Sequence, residues 1–226
     1  MSSAAREQIM GRLRRGANNP EFKVDRERRL PQFQPLPFRP RDLVPRWRQE
    51  LEALNGRVYG PLPPIGALDQ FVKLAQVQRA TAVLSWEIDE LPVDGLAERL
   101  QAAKINLVWL KNHEQDDAVV RREIEQIPLG VTAAIAGLAD TGSLVVNSGA
   151  GRPRSASLLP PVHVALLPVS NLYPNLPTWM ALEGERFLST TANVVIITGP
   201  SKTADIELNL VMGVHGPGEV HVILIE

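Results

Sequence analysis

The sequence has 226 residues, 44% of them hydrophobic, with no cysteine and a formal charge of −1 at neutral pH. That length suits one large domain whose core needs no disulfide or metal to stabilise it. Lack of cysteine excludes thiolate nucleophiles, cysteine zinc sites and cysteine-ligated iron–sulfur clusters from these residues, and the near-zero charge excludes bulk attraction to nucleic acid or an anionic membrane.

The charge is unevenly spread. Residues 1–50 hold 12 Lys and Arg against 6 Asp and Glu, which leaves 12 against 19 in the rest. Acidic residues are interspersed in this basic stretch, so it reads as an arm folding back on an acidic body rather than as a nucleic-acid arm. The opening residues carry no apolar segment of the kind a secretory signal needs, and no apolar run approaches the roughly 18 residues of a membrane span.

Ser3 to Arg15 reads as a short helix that Gly16 can end. Residues 17–45 contain Pro20, Pro31, Pro35, Pro37, Pro40 and Pro45. Proline at that density forbids regular ladders, so an extended arm is expected, lying on its own body or on a neighbour in a homo-oligomer. Residues 1–45 are thus set apart from a domain over 46–226. Trp47, Leu51 and Leu54 recur at i, i+4 and i+7 and make an amphipathic helix ending near Gly56. A short strand is expected over Arg57–Gly60, a helix over Gly66–Gln78, a strand over Thr81–Trp86 and a helix over Gly95–Ala103. An apolar strand over Ile105–Leu110 and a charged helix over Asp116–Gln126 follow. This alternation of apolar strands with amphipathic helices predicts an α/β fold with a parallel sheet covered on both faces.

Beyond Gly130 the texture changes. Val131–Ala139 and Ser143–Asn147 are apolar and flank Asp140, Thr141 and Gly142, which suits a hairpin. Strands are expected over Val162–Pro168, Asn193–Thr198 and Val220–Ile225, and helices around Leu176–Phe187 and over Ala204–Leu210.

Four segments carry candidate chemistry. Gly199–Pro200–Ser201–Lys202–Thr203–Ala204–Asp205–Ile206–Glu207 follows a strand and precedes the expected helix, where open α/β sheets bind ligands. Free amides there attract anions and Lys202 adds charge. Equally, Ser201 or Thr203 caps the helix, with Asp205 and Glu207 complementing its dipole. It is no ATP-binding loop, because Ser201 and Ile196 stand where that motif needs glycine. Gly213–Val214–His215–Gly216–Pro217 sets a histidine between glycines, as an acid/base group or as a structural turn. Asp140–Thr141–Gly142–Ser143 orients a small polar ligand or simply forms a turn. Gly149–Ala150–Gly151–Arg152–Pro153–Arg154–Ser155 opens like a dinucleotide fingerprint, but Arg154 replaces the third glycine and no helix is expected after it. Its arginines clamp an anion or lie solvated. His163 stands at the head of the Val162 strand, and His221 reads as a buried, satisfied histidine. No histidine pair has metal-ligand spacing.

These segments occur in a familiar order. Ala139–Asp140–Thr141–Gly142–Ser143–Leu144–Val145, Leu158–Leu159–Pro160–Pro161–Val162–His163–Val164, the Gly199–Glu207 string and Val211–Met212–Gly213–Val214–His215–Gly216–Pro217 together resemble the LUD domain of the lactate utilization protein C (LutC/YkgG) family. Ser143, Lys202 and Asp140 stand where that family commonly has Thr, Arg and Glu. The resemblance implies a fold like the NagB/RpiA/CoA-transferase group. It also implies a cytoplasmic accessory role in oxidising L-lactate to pyruvate, beside a partner subunit that carries the iron–sulfur clusters, with no cofactor in this chain. The alternative is a stand-alone protein or enzyme that binds a small anion such as a carboxylate, phosphosugar or acyl-CoA. Whether the chain itself catalyses a step is left open. On either reading Lys202 and the amides near Ser201 are expected to hold an anionic group, and His215 or Asp140 to carry a proton. Thr141, Gly142, Arg152, Gly199, Thr203, Asp205, Gly213 and Gly216 complete the expected ligand-binding set.

Overall fold

Six strands form one fully parallel sheet, in the order β1-β12-β7-β4-β2-β3. They are β1 (Arg57–Leu62), β2 (Ala82–Ser85), β3 (Asn106–Trp109), β4 (Leu129–Ala133), β7 (Val162–Pro168) and β12 (Glu219–Ile225). The computed structural model describes residues 6–12, 33–109, 122–204, 210–212 and 215–226. It divides into two units, Met1–Phe33 and Gln34–Glu226. In the first, residues 6–12 are helical. All that follows concerns the second.

β4, β7 and β12 are buried along nearly their whole length, as runs such as Val220–Ile225 require when both faces are covered. On one face lie α2 (Pro64–Val77) and α3 (Leu96–Ala102), the crossover helices from β1 to β2 and from β2 to β3. Both crossovers run in one direction across the sheet, so right-handedness puts both helices on one side. Phe71, Leu74 and Ala75 of α2 and Leu96 and Leu100 of α3 are buried there.

The opposite face carries a second sheet of four strands, in the order β8-β5-β6-β9. These are β5 (Ala136–Leu138), β6 (Ser143–Ser148), β8 (Leu172–Tyr173) and β9 (Asn193–Ile197). Its position follows from Gly137, where an added Cβ would fall 2.8 Å from Leu167 of β7 and 3.0 Å from the indole nitrogen of Trp47. Trp47 belongs to α1 (Val44–Ala53), whose buried Trp47 and Leu51 form the expected i, i+4 pair. The Trp47 indole N–H donates to the Ser143 carbonyl at 3.1 Å. A single-turn helix, α4 (Ser155–Leu158), covers Gly130 on this same face, where a Cβ would meet the Ala156 carbonyl at 2.0 Å. The long helix α5 (Leu176–Thr190) starts at Asn175, whose side chain accepts from the Thr178 N–H.

Three expectations are corrected. Val131–Ala139 is not one segment: Ala134 N–H still bonds to Leu166 of β7, whereas Ile135 N–H bonds to Val145 of β6, so the chain changes sheets between neighbouring residues. The helix expected over Ala204–Leu210 is corrected at its two ends: Ala204 closes β10 (Lys202–Ala204) and Leu210 opens β11 (Leu210–Met212), which pair antiparallel with Thr203 opposite Val211 and Ala204 opposite Leu210, while residues 205–209 lie outside the described residues. Those backbone groups pair between the two strands and are not available for a helix. A helix does follow the 149–155 segment, although only the one turn of α4. Among the described residues, no helix is long and apolar enough to cross a membrane.

Candidate functional site

A cavity of about 220 Å³ opens where the two sheets meet at the amino ends of β7 and β12. Its inner wall is His163, the second residue of β7, and Val220, the second of β12. α4 supplies Ser157 and Leu158, the end of β9 supplies Ile196 to Gly199, and Ser201 and His215 to Pro217 close the remaining side. Two larger hollows, about 320 Å³ beside Lys73 and Arg99 and about 370 Å³ beside Lys104, contain none of the motif residues.

The Ser201 and His215 loops are held together by their backbones. Ser201 N–H donates to the Pro217 carbonyl at 2.8 Å, and a Cβ on Gly216 would sit 3.6 Å from that of Ser201. Gly199 has φ +88° and backs onto Leu54, where a Cβ would be 3.0 Å away. A residue other than glycine there would be strained and crowded at once. His215 is exposed at the cavity mouth.

His163 is fully buried. It shares a face of the sheet with Thr132, whose hydroxyl lies 2.9 Å from Nε2. Its Nδ1 has no hydrogen-bond partner among the described residues. Burial, with a smaller contribution from His221, pushes its pKa down to about 4, so the ring is neutral at neutral pH. His221 lies on the other face, paired with Tyr59 at 3.0 Å and Glu219 at 3.1 Å, a buried and satisfied histidine as the sequence suggested.

The Asp140 turn reaches the cavity through hydroxyls. Thr141 Oγ1 donates to Asp140 at 3.3 Å and lies 2.7 Å from Ser143 Oγ. Ser143 Oγ in turn lies 2.8 Å from Thr198 Oγ1, on the cavity wall. Gly142 serves packing: its φ is +64° and a Cβ would lie 2.3 Å from the Leu51 nitrogen.

A model of the LUD domain matches residues 44–225. The chain belongs to the LUD-domain family. It is 37% identical over 153 residues to "Lactate utilization protein C" of Halalkalibacterium halodurans, covering 65% of this chain and 64% of that protein. It is 38% identical over 138 residues to the protein YkgG of Escherichia coli, covering 58% and 57%. The chain therefore spans less than two thirds of the length of either relative. A crystal structure of a DUF162 family protein from Deinococcus radiodurans shares the fold, with TM-score 0.55 over 84% of this chain and all of that one, at 13% identity.

Within this LUD domain the expected site residues divide. Gly199, Ser201, His215 and Gly216 line the cavity. Asp140 and Thr141 join it through the hydroxyl chain. Lys202 and Thr203 lie on β10, where the Lys202 side chain is exposed and does not line the cavity. Arg152 is not on its walls either; its guanidinium pairs with Glu90 at 3.1 Å. Asp205 and Gly213 lie outside the described residues. No helix starts at Ser201, so neither a capping role nor an amide-lined helix terminus exists there. The main sheet also meets the cavity at strand amino ends, not the carboxyl ends expected of open α/β sheets. His163, Thr132, Thr198 and Ser157 were not among the expected site residues, whereas Ser143 stood in the Asp140–Ser143 candidate segment. The one available signal was His163 inside the Leu158–Val164 string, and Thr132 had none.

Proposed function

We propose that this protein is the small-molecule-binding subunit of a lactate-utilization system, acting in the cytoplasm beside a partner that carries iron–sulfur clusters. The observation that supports this most is convergence: three of the four family strings line one cavity and the fourth reaches it through hydroxyls. A mostly apolar cleft with a few convergent polar groups is the usual form of a small-molecule site. The named relatives supply the pathway. The iron–sulfur partner is what the family resemblance implies, and a chain without cysteine is compatible with that division of labour.

A cavity of about 220 Å³ holds the volume of roughly seven waters, enough for a short carboxylic acid. The NagB/RpiA/CoA-transferase likeness that the sequence resemblance implies is one of fold and carries no substrate with it. Deletion of the gene is expected to abolish growth on L-lactate, with rescue by the intact chain. Affinity-tagged protein from lactate-grown cells is expected to bring down a brown partner with iron–sulfur absorbance. Normal growth of the deletion strain, with no such partner recovered, would overturn the reading.

A further inference from the structure

The cavity touches Ile196, Ile197, Thr198 and Gly199 in succession. Side chains along a strand alternate between its two faces. A cavity that meets neighbouring strand residues one after another therefore lies along the strand's edge, where main-chain groups are presented. β9 has such an edge: it ends its sheet and is bonded to β6 on one side only.

Which groups face outward follows from the register. The Ser148 carbonyl of β6 points at β9, since it accepts from the Ala192 N–H, whereas the Val145 carbonyl points at β5, since it accepts from the Ile135 N–H. Alternation then aims the main chain of Leu144, Val146 and Ser148 at β9. Their partners Ile197, Val195 and Asn193 are the residues bonded back to β6. Ile196 lies between two of them, so its N–H and C=O both point away from β6, along the cavity. Thr198, whose hydroxyl still meets Ser143 of β6 at 2.8 Å, turns its N–H the same way. None of these three main-chain groups has a hydrogen-bond partner among the described residues.

The Ser201 hydroxyl is accessible and also makes no hydrogen bond among the described residues. The cavity thus offers three neutral donors, Ile196 N–H, Thr198 N–H and Ser201 O–H, beside one main-chain acceptor, the Ile196 carbonyl. No Lys, Arg, Asp or Glu lines the wall among the described residues. An anionic group is met by several donors, and a cationic group meets no opposite charge.

An added peptide residue pairs with a strand edge through its own N–H and C=O. A 2-hydroxy acid carries the same two functions in the same places, a hydrogen donor on carbon 2 and acceptor oxygens on carbon 1. We infer that Ile196 binds a small 2-hydroxy acid in the manner of one added strand residue. Its carbonyl accepts the ligand's hydroxyl hydrogen, and its N–H, the Thr198 N–H and the Ser201 hydroxyl donate to the carboxylate. Leu158, Ile197, Pro217 and Val220 offer apolar surface for a short alkyl group. A 2-keto acid and an unsubstituted acid both lack the hydroxyl donor. A 2-amino acid brings three ammonium hydrogens to one carbonyl, with no carboxylate to offset its charge. The ligand class rests on main-chain geometry, whereas the choice of L-lactate as the probe rests on the lactate-utilization reading.

Amide NMR of the ¹⁵N-labelled full chain titrated with sodium L-lactate tests this. The Ile196 and Thr198 amides are expected to move to lower field, while those of Val195 and Ile197, already bonded to β6, move little. By calorimetry, L-lactate is expected to bind roughly ten-fold tighter than propionate or pyruvate, about the worth of one well-made hydrogen bond. Ile196→Pro removes the outward N–H and no bond to β6, as an edge strand permits, and is expected to weaken L-lactate binding by roughly ten-fold or more. Should that variant not fold, Ser201→Ala, which keeps the backbone bond to Pro217, is expected to weaken binding several-fold. Shifts that spare Ile196 and Thr198, equal affinity for L-lactate and propionate, unchanged affinity in a folded Ile196→Pro chain or in Ser201→Ala, or no binding at tens of millimolar would each overturn the assignment. The two readings fail separately. Growth loss on deletion without L-lactate binding sinks this inference alone, and L-lactate binding at Ile196 with normal growth sinks only the pathway.

Discussion

The main-chain N–H of Ser201 donates to the carbonyl of Pro217 at 2.8 Å, which joins the loop after β9 and the loop before β12 into one cavity wall. Ser201→Pro removes that donor and is expected to cost about 1–3 kcal/mol in urea denaturation. Ser201→Ala keeps the backbone bond and is expected to stay within about 0.5 kcal/mol of wild type. A large loss in the alanine variant would show that the side chain, not the backbone bond, holds the wall together.

Gly130 lets α4 lie directly on β4, with no room for a Cβ beside the Ala156 carbonyl at 2.0 Å and Pro160 at 2.9 Å. Gly130→Ala is expected to destabilise the protein by about 3 kcal/mol through overpacking and to displace the Ser157 wall of the cavity. Gly66→Ala, in a helix with nearest contacts at 3.5 Å, is the matched control. It is expected to stabilise by about 0.5 kcal/mol. Equal melting temperatures for the two variants would contradict the packing account.

The hydroxyl chain from Asp140 to Thr198 passes through Ser143, which is nearly fully buried. Ser143→Ala is expected to cost about 1 kcal/mol by breaking both links. Asp140→Asn, at an exposed turn, is expected to change stability by less than about 0.5 kcal/mol. Chemical denaturation of the two variants side by side checks the contrast.

Acid sensitivity follows from His163. Its pKa is lowered from 6.5 to about 4 in the folded chain. Between those values the unfolded chain binds a proton that the folded chain does not, so stability falls as pH drops from 6.5 towards 4 and flattens below it. The full effect is on the order of 3 kcal/mol. His221, also lowered by burial, adds in the same direction. His163→Gln is expected to flatten most of this slope in urea titrations at pH 4.5 and 7. An unchanged slope would show that His163 does not titrate in that window.

Much of the architecture was legible in the residues. The apolar strand at Val162–Pro168 appears with the expected bounds, and the Trp47–Leu51 face is buried as its spacing requires. What misled was local pattern without tertiary partner. Val131–Ala139 reads as one apolar run because sheet exchange at Ala134 and Ile135 leaves no mark on hydrophobicity. Ala204 and Leu210 read as helical because the pairing of β10 with β11 depends on a second strand that local propensity does not see.

The site divides the same way. The glycine-flanked His215 and the Gly199–Ser201 turn announce themselves in the sequence, because special backbone conformations demand special residues. Their meeting beside His163 does not, because it depends on long-range strand order and on a backbone bond between Ser201 and Pro217. Composition and periodicity determined the layered α/β fold, since burial of alternating strands and helices is a property of each segment alone. Only the tertiary structure left one nitrogen of His163 unpaired and placed Thr132 on the other. Hydrogen bonds between residues 31 apart are set by sheet register, and register is a property of the assembled fold.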